Sequence, residues 1–461
     1  MPAKPGRNAF MRSNKVSTPQ KSFLMPALAE QLDPRQPLKK LADKLPWKEF
    51  EQAFGEHYSS TGRPAKPVRL MVGLLLLKQL ENLSDEAVVD RWVRDPYYQY
   101  FCGMEEFQWE LPCDPSDLVY FRRRIGEEGA SLILTVSACM HEEKIQELEI
   151  VVDTTVQEKD VTFPTDTKLY RKIIQYCWQI ADKHRVKLRR RFGKEVRNRL
   201  MAQRWRKNKD KRKLALKGQR RLRTIAGALI RGLERKLTKD IGEAYSTDFK
   251  LYRRVLNQKP RDRNKIYSIH EPGVYCIAKG KEHKKYEFGC KASIAMTKDS
   301  GIIVSAVAHK TNQFDGHTLP EVLELADAIM GQTPKKAIVD RGYRGRKKVG
   351  ETEILCPQRG NAEQSRSQKT RMRKRFRRRA AIEPVISHLK HDFRMARCYL
   401  KGYVGDSMNV RLAAAAWNLR KWMRFLFSQI RTSEWPAWVA FEILGWAKAA
   451  NRWFIQGRNT A

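Results

Sequence analysis

Apolar positions along the chain follow two different periods. From about residue 45 to 145 they recur at helical spacing. Trp47, Phe50 and Phe54 share one face, and a long apolar run covers 68–80 after Pro64 and Pro67. Ser84, followed by Asp85 and Glu86, reads as a capped helix start: the hydroxyl accepts an unpaired N–H and the acids meet the positive helix end. The two helices meeting at Asn82 and Leu83 are either a helix-turn-helix or ordinary helical packing. Asp114, Pro115 and Ser116 mark another start. The helix they open carries Arg122, Arg123 and Arg124, a basic face suited to phosphates.

Beyond residue 146, short β-branched runs appear. Residues 148–155 read as a buried strand ending in Asp153, which is either a turn residue or a ligand at a sheet edge. After a helical and increasingly charged stretch at 167–240, strand-like sequence returns at 273–278, 286–296 and 301–308, with a hairpin turn at 299–301. A loop at 312–317 and a helix opened by Thr318, Leu319 and Pro320 follow. Residues 335–340 then form a short strand ending in Asp340, and Gly342 and Gly345 let the backbone turn and approach a ligand closely. A further strand is expected at 353–357. An acid-free basic stretch, 366–379, leads into a helix with Arg379, Glu383, Ser387 and Lys390 on one stripe and Ile382, Ile386 and Leu389 beside it. Pro384 means that this helix either starts near Glu383 or bends there. On its own, the Arg379–Glu383 spacing is that of a surface ion pair.

Three consecutive strands, a helix, a strand, another strand and a last helix predict an α/β fold with a mixed sheet. With acids at Asp153, Asp340 and Glu383, this is the ribonuclease-H-like arrangement. Three hard oxygen ligands without a His or Cys cluster suit Mg²⁺. Two such ions about 4 Å apart serve phosphoryl transfer.

Composition sharpens the picture. The 461 residues predict two or three domains, and 41% hydrophobic residues with 11 tryptophans supply real cores. Lys and Arg number 91 against 51 acids, a net charge of +40 that points to a polyanion, nucleic acid before a membrane surface. The apolar run 70–77 is broken by Gly73 and too short to span a bilayer. Residues 1–25 lack the apolar stretch of a signal peptide. The eight cysteines are scattered without a CxxC pair, which suits a reducing, cytoplasmic setting and neither zinc nor a disulfide scaffold. About half the residues from 183 to 223 are basic, opposed by Glu195 and Asp210. Arg189, Arg190 and Arg204, with Phe192 and Trp205 interleaved, form either a DNA-backbone contact or a solvated face. So one-sided a charge repels itself unless a polyanion neutralises it.

The chain resembles bacterial insertion-sequence transposases of the DDE type, closest to the Insertion Sequence 5 family. The resemblance is carried by Asp153-Thr154-Thr155, by the run from Val339 through Asp340 to Gly345, and by Phe376, Arg379, Glu383 and Lys390. The last four match a Tyr-x2-Arg-x3-Glu-x6-Lys signature in which Phe replaces Tyr. Together the motifs span about 230 residues. The stretch 312–319 also resembles the family's loop, which makes His317 an active-site candidate. The resemblance implies that Asp153, Asp340 and Glu383 bind two Mg²⁺ ions, with Mn²⁺ able to substitute. It implies cleavage at the element's ends and joining of the freed 3′-hydroxyl to target DNA. Arg379, Lys390, Arg341 and Arg344 are expected on phosphate, and the double-stranded DNA partners are the terminal inverted repeats and the target. A homodimer or larger assembly is implied, with no membrane.

The expected organisation is a flexible basic leader (1–40), a helical DNA-binding or dimerisation domain (41–145), a catalytic domain (146–400) holding a basic helical insertion (166–265), and a Trp-rich extension (401–461). In that extension Trp417, Trp422, Trp435, Trp438, Trp446 and Trp453 either pack as core or stack on bases.

Overall fold

The computed structural model describes residues 10–11, 26–58, 63–259, 261–278, 285–357 and 365–434. At the N-terminal end β1 (Phe10–Met11) pairs in parallel with β2 (Arg63–Pro64). Between and after them run α1 (Leu28–Gln31), α2 (Pro37–Lys44), α3 (Trp47–Gly55), α4 (Val68–Leu80), α5 (Asp85–Arg94), α6 (Pro96–Phe101) and α7 (Pro115–Cys139). Residues 26–40, assigned above to the leader, hold α1 and the start of α2, with Leu28 only 2% exposed. Helix α4 is apolar all round because it is buried all round: every residue from 70 to 80 is inside. Helix α5 starts as its sequence predicts, with Ser84 Oγ accepting the Ala87 N–H at 3.0 Å. Asp114 and Asp117 form a reciprocal capping box at the start of α7. That helix kinks at Gly126, whose φ of 58° favours a residue without Cβ.

The sheet is built on β3 (Glu149–Lys159). A helical segment follows: α8 (Asp166–Lys183), α9 (Gly193–Met201), α10 (Arg212–Lys236), α11 (Lys239–Ala244) and α12 (Ser246–Asn257). Then come β4 (Tyr275–Ala278), β5 (Tyr286–Thr297), β6 (Ile303–His309), α13 (Asp315–Met330), β7 (Lys336–Ile338), β8 (Lys348–Val349), β9 (Thr352–Leu355), α14 (Arg366–Arg379), α15 (Ile382–His391), β10 (Arg397–Cys398) and α16 (Gly402–Glu434). Strand β3 pairs antiparallel with β5 on one side and parallel with β7 on the other. Along its length β5 carries first β4 and then β6, both antiparallel. Beyond β7 lie β9, parallel, and β8, antiparallel. The result is a mixed sheet, and every residue of β6 is buried, which explains its mainly apolar sequence around Ser305 and His309.

The described residues form two separate cores. Helices α8, α10 and α12 pack around Ile173, Ile174, Leu222, Leu229 and Val255. The N-terminal helices, the sheet and α16 share the other. The residue numbers 145 and 400 therefore mark no break in packing. Helix α16 runs against α7 and β6, and its consecutive alanines at 413–416, all fully buried, let these neighbours approach closely. Trp417 and Trp422 pack against this core, whereas Trp435, Trp438, Trp446 and Trp453 lie outside the described residues. Among the described residues no helix is long and apolar enough to cross a membrane. All eight cysteines are free thiols.

Candidate active site

The two aspartates meet through strand register. Parallel pairing aligns Glu149, Ile150 and Val151 with Lys336, Ala337 and Ile338. The paired stretch ends at Val151 and Ile338; Asp153 and Asp340 each lie two residues further along, and both act on the buried Tyr343 phenol. Asp340 leaves the end of β7 in extended conformation, and its Oδ1 accepts the Gly342 N–H at 2.7 Å. Asp153 differs from its expected place: it lies within β3, not at its end. The strand continues because the polar Gln157 and Lys159 are buried with partners. Gln157 accepts from Asn409 at 2.7 Å, and Lys159 Nζ donates to Asp406 at 2.8 Å. Asp153 Oδ1 accepts the Thr154 N–H at 2.7 Å.

A further carboxylate stands beside this pair. Helix α13 begins at Asp315, three residues before the expected Thr318. The Asp315 carboxylate takes Lys291 Nζ at 2.8 Å and the Thr154 hydroxyl at 3.0 Å. A Cβ built on Gly342 would lie 2.9 Å from both Asp315 Oδ2 and Asp340 Oδ1, so any larger residue would push these carboxylates from their places. Tyr343, wholly buried, packs here. Burial first, and then Asp315, Asp153 and Asp340, push its phenol up. Sequence reasoning missed Asp315. The signal available was an acid in the loop already matched to the family.

Glu383 sits in the first turn of α15, a helix that starts afresh at Ile382, so Pro384 falls where proline is tolerated. Ile382, Val385 and Leu389 bury its inner face against the main core. The Glu383 side chain is 64% exposed and pairs with Arg379 at 3.0 Å. Lys390 is half-buried in the last turn. Among the described residues no three His, Cys, Asp or Glu side chains are grouped to hold a metal ion. The structure thus brings together Asp153 and Asp340 and does not gather Glu383 with them. The paired aspartates fit a hard divalent ion, which needs only one or two protein carboxylates when phosphate and water supply the rest.

The expected phosphate contacts separate into groups. His317 is exposed on the second residue after the start of α13, edge-on to Phe314 at 5.7 Å, and not in a loop. Arg341 and Arg344 are exposed beside Asp340. Arg189, Arg190, Arg204 and Trp205 are exposed on the helical segment between β3 and β4, where Arg190 lies over Phe192 and Lys211 over Trp205. Arg123 is exposed, but Arg122 is 5% exposed and forks onto Asp85 at 2.8 and 2.6 Å, with Lys78 on the same carboxylate at 2.6 Å. Arg122 is therefore a buried ion-pair partner and not part of an exposed basic face.

Residues 26–124 match the family described as Transposase domain (DUF772), and residues 246–419 match the Transposase DDE domain. The chain belongs to the DDE transposases of bacterial insertion sequences. Asp340 and Glu383 fall inside the second match, and Asp153 lies between the two. An uncharacterized protein, ORF8 in the nfe locus of Rhizobium meliloti, is 43% identical over 187 residues, which is 40% of this chain and 90% of that protein. No solved structure matches. As a DDE transposase the chain acts on DNA, and its family generally uses divalent metal ions.

Proposed function

We propose that this transposase, of the Insertion Sequence 5 type, binds terminal inverted repeats, hydrolyses the phosphodiester bonds at their ends and joins the freed 3′-hydroxyls to target DNA. The observation that carries the reading is the convergence of Asp153 and Asp340, each two residues beyond the paired stretch of two parallel strands, on the buried Tyr343 in a chain of this family. The strand order β6-β5-β3-β7-β9, with the first two connections antiparallel and the rest parallel, supports a ribonuclease-H-like sheet.

Asp153 and Asp340 would hold two Mg²⁺ ions, with Glu383 as the third carboxylate; Mn²⁺ would substitute. When bound, the ions polarise a phosphoryl oxygen and make water nucleophilic at neutral pH. The chain's own groups set the stage. The Thr154 and Gly342 N–H groups each hold one oxygen of an aspartate in place. Arg379 steadies Glu383, and with Lys390, Arg341 and Arg344 it would meet the phosphates. His317 is a further contact to DNA in this reading. The basic helices between β3 and β4 grip the backbone of the element ends, and the N-terminal helices add Arg123 and dimerise. The setting is the bacterial cytoplasm.

The test is incubation of the full chain with DNA carrying the flanking ends, a target plasmid and Mg²⁺. Joined product supports a transposase, and cleavage without joining would instead describe a structure-specific nuclease. A second reading, a DNA binder that no longer cuts, is favoured by the pairing of Glu383 with Arg379 away from the aspartates. It predicts end binding without cleavage under any divalent ion.

A further inference from the structure

We propose that Asp315 is a positioning residue for the aspartate pair, with Lys291 as its counter-ion; this rests on the function proposed above. Asp315 occupies the first turn of α13 but does not cap its own helix. Its side chain crosses to the sheet instead. One oxygen, Oδ1, accepts from Thr154 Oγ1 and Lys291 Nζ. Thr154 in turn donates its N–H to Asp153, so Asp315 reaches the first aspartate through a single residue. The other oxygen faces Gly342, whose N–H holds Asp340 Oδ1. One carboxylate therefore touches the segments that fix both members of the pair.

Charge explains the lysine. Asp315, Asp153 and Asp340 are near enough for all three to act on Tyr343, and Lys291 neutralises the one that holds no ion in this reading. Its ammonium is locked in place, donating also to Gln313 O at 2.6 Å, with its side chain 12% exposed. An ordinary surface ion pair would be exposed and loosely held. The wholly buried Tyr343 packs beside the same acids with its hydroxyl close to the Thr154 side chain.

The experiment uses the full chain in three forms: wild type, Asp315→Asn and Thr154→Val. Mn²⁺ binding to metal-free protein is measured by calorimetry without DNA, together with the melting temperature in chelator. Loss of a residue that orients a metal ligand costs about 10-fold in affinity, and that loss is expected in both variants, with Thr154→Val melting close to wild type. If Asp315→Asn fails to fold, Asp315→Asn with Lys291→Met removes both charges and must show the same loss. Unchanged Mn²⁺ binding in the variants, with or without lowered melting, overturns the inference while leaving the proposed function standing. A wild type that binds no Mn²⁺ overturns both.

Discussion

Arg122 and Arg123 are neighbours in the chain and opposite in role. Arg122 lies in helical phase with Leu118 and Ile125, both buried, so the period that marks α7 as a helix also points Arg122 inward. A run of three arginines read as one basic face hides that phase. Burial pushes the Asp85 carboxyl up, but Arg122 and Lys78 outweigh it and hold Asp85 below its usual range. Removing Arg122 takes away its two hydrogen bonds and leaves Asp85 with Lys78 alone, so Arg122→Met is expected to cost about 1–3 kcal/mol in urea unfolding. Arg123→Gln should leave stability unchanged. A second residue-scale prediction concerns Gly342. An added methyl would press on Asp315 and Asp340 at 2.9 Å, and Gly342→Ala should slow end cleavage by roughly 100-fold with little change in melting. Equal cleavage rates would show that these carboxylates need not hold their present places.

Elements were legible where a local signal marked their ends. Ser84 and Asp114 cap α5 and α7, and the hairpin between β5 and β6 turns at Gly301, φ 66°. The length of β3 was not legible, because Gln157 and Lys159 look like exposed residues until Asp406 and Asn409 arrive from α16, some 250 positions away. The same limit applied to α13, whose first acid is fixed by strand residues and not by its own helix. His309 closes β6 with a testable consequence. Burial, then Lys291, lowers its pKa to about 4, and its ring bonds Ser293 at 2.8 Å. The unfolded chain takes up a proton near pH 6.5 and the native chain only near pH 4. Stability from this group is therefore present above about pH 6.5 and is lost as the pH falls towards 4. Between about pH 7.5 and about pH 5 wild type should lose about 2 kcal/mol more than His309→Gln in urea unfolding. Equal losses would show that His309 is protonated in the fold.

At the scale of the whole molecule, the mixed α/β class was legible from sequence. The short strands β8 and β10 were not, and neither was the union of the N-terminal helices, sheet and α16 in one core, which depends on contacts between distant residues. The basic helices between β3 and β4 stand on a core of their own. If Arg189, Arg190 and Arg204 lie on DNA phosphates, changing all three to Gln should reduce the salt dependence of end binding by about 0.9 log unit per contact. An unchanged slope would place the DNA elsewhere. The central claim is tested most directly by Mg²⁺-dependent cleavage of DNA carrying the element's ends, with wild type beside Asp340→Ala and end binding measured for both. The account predicts that both bind the ends and that wild type alone cuts. Equal cleavage by Asp340→Ala, or none by either protein under any divalent ion, would contradict it.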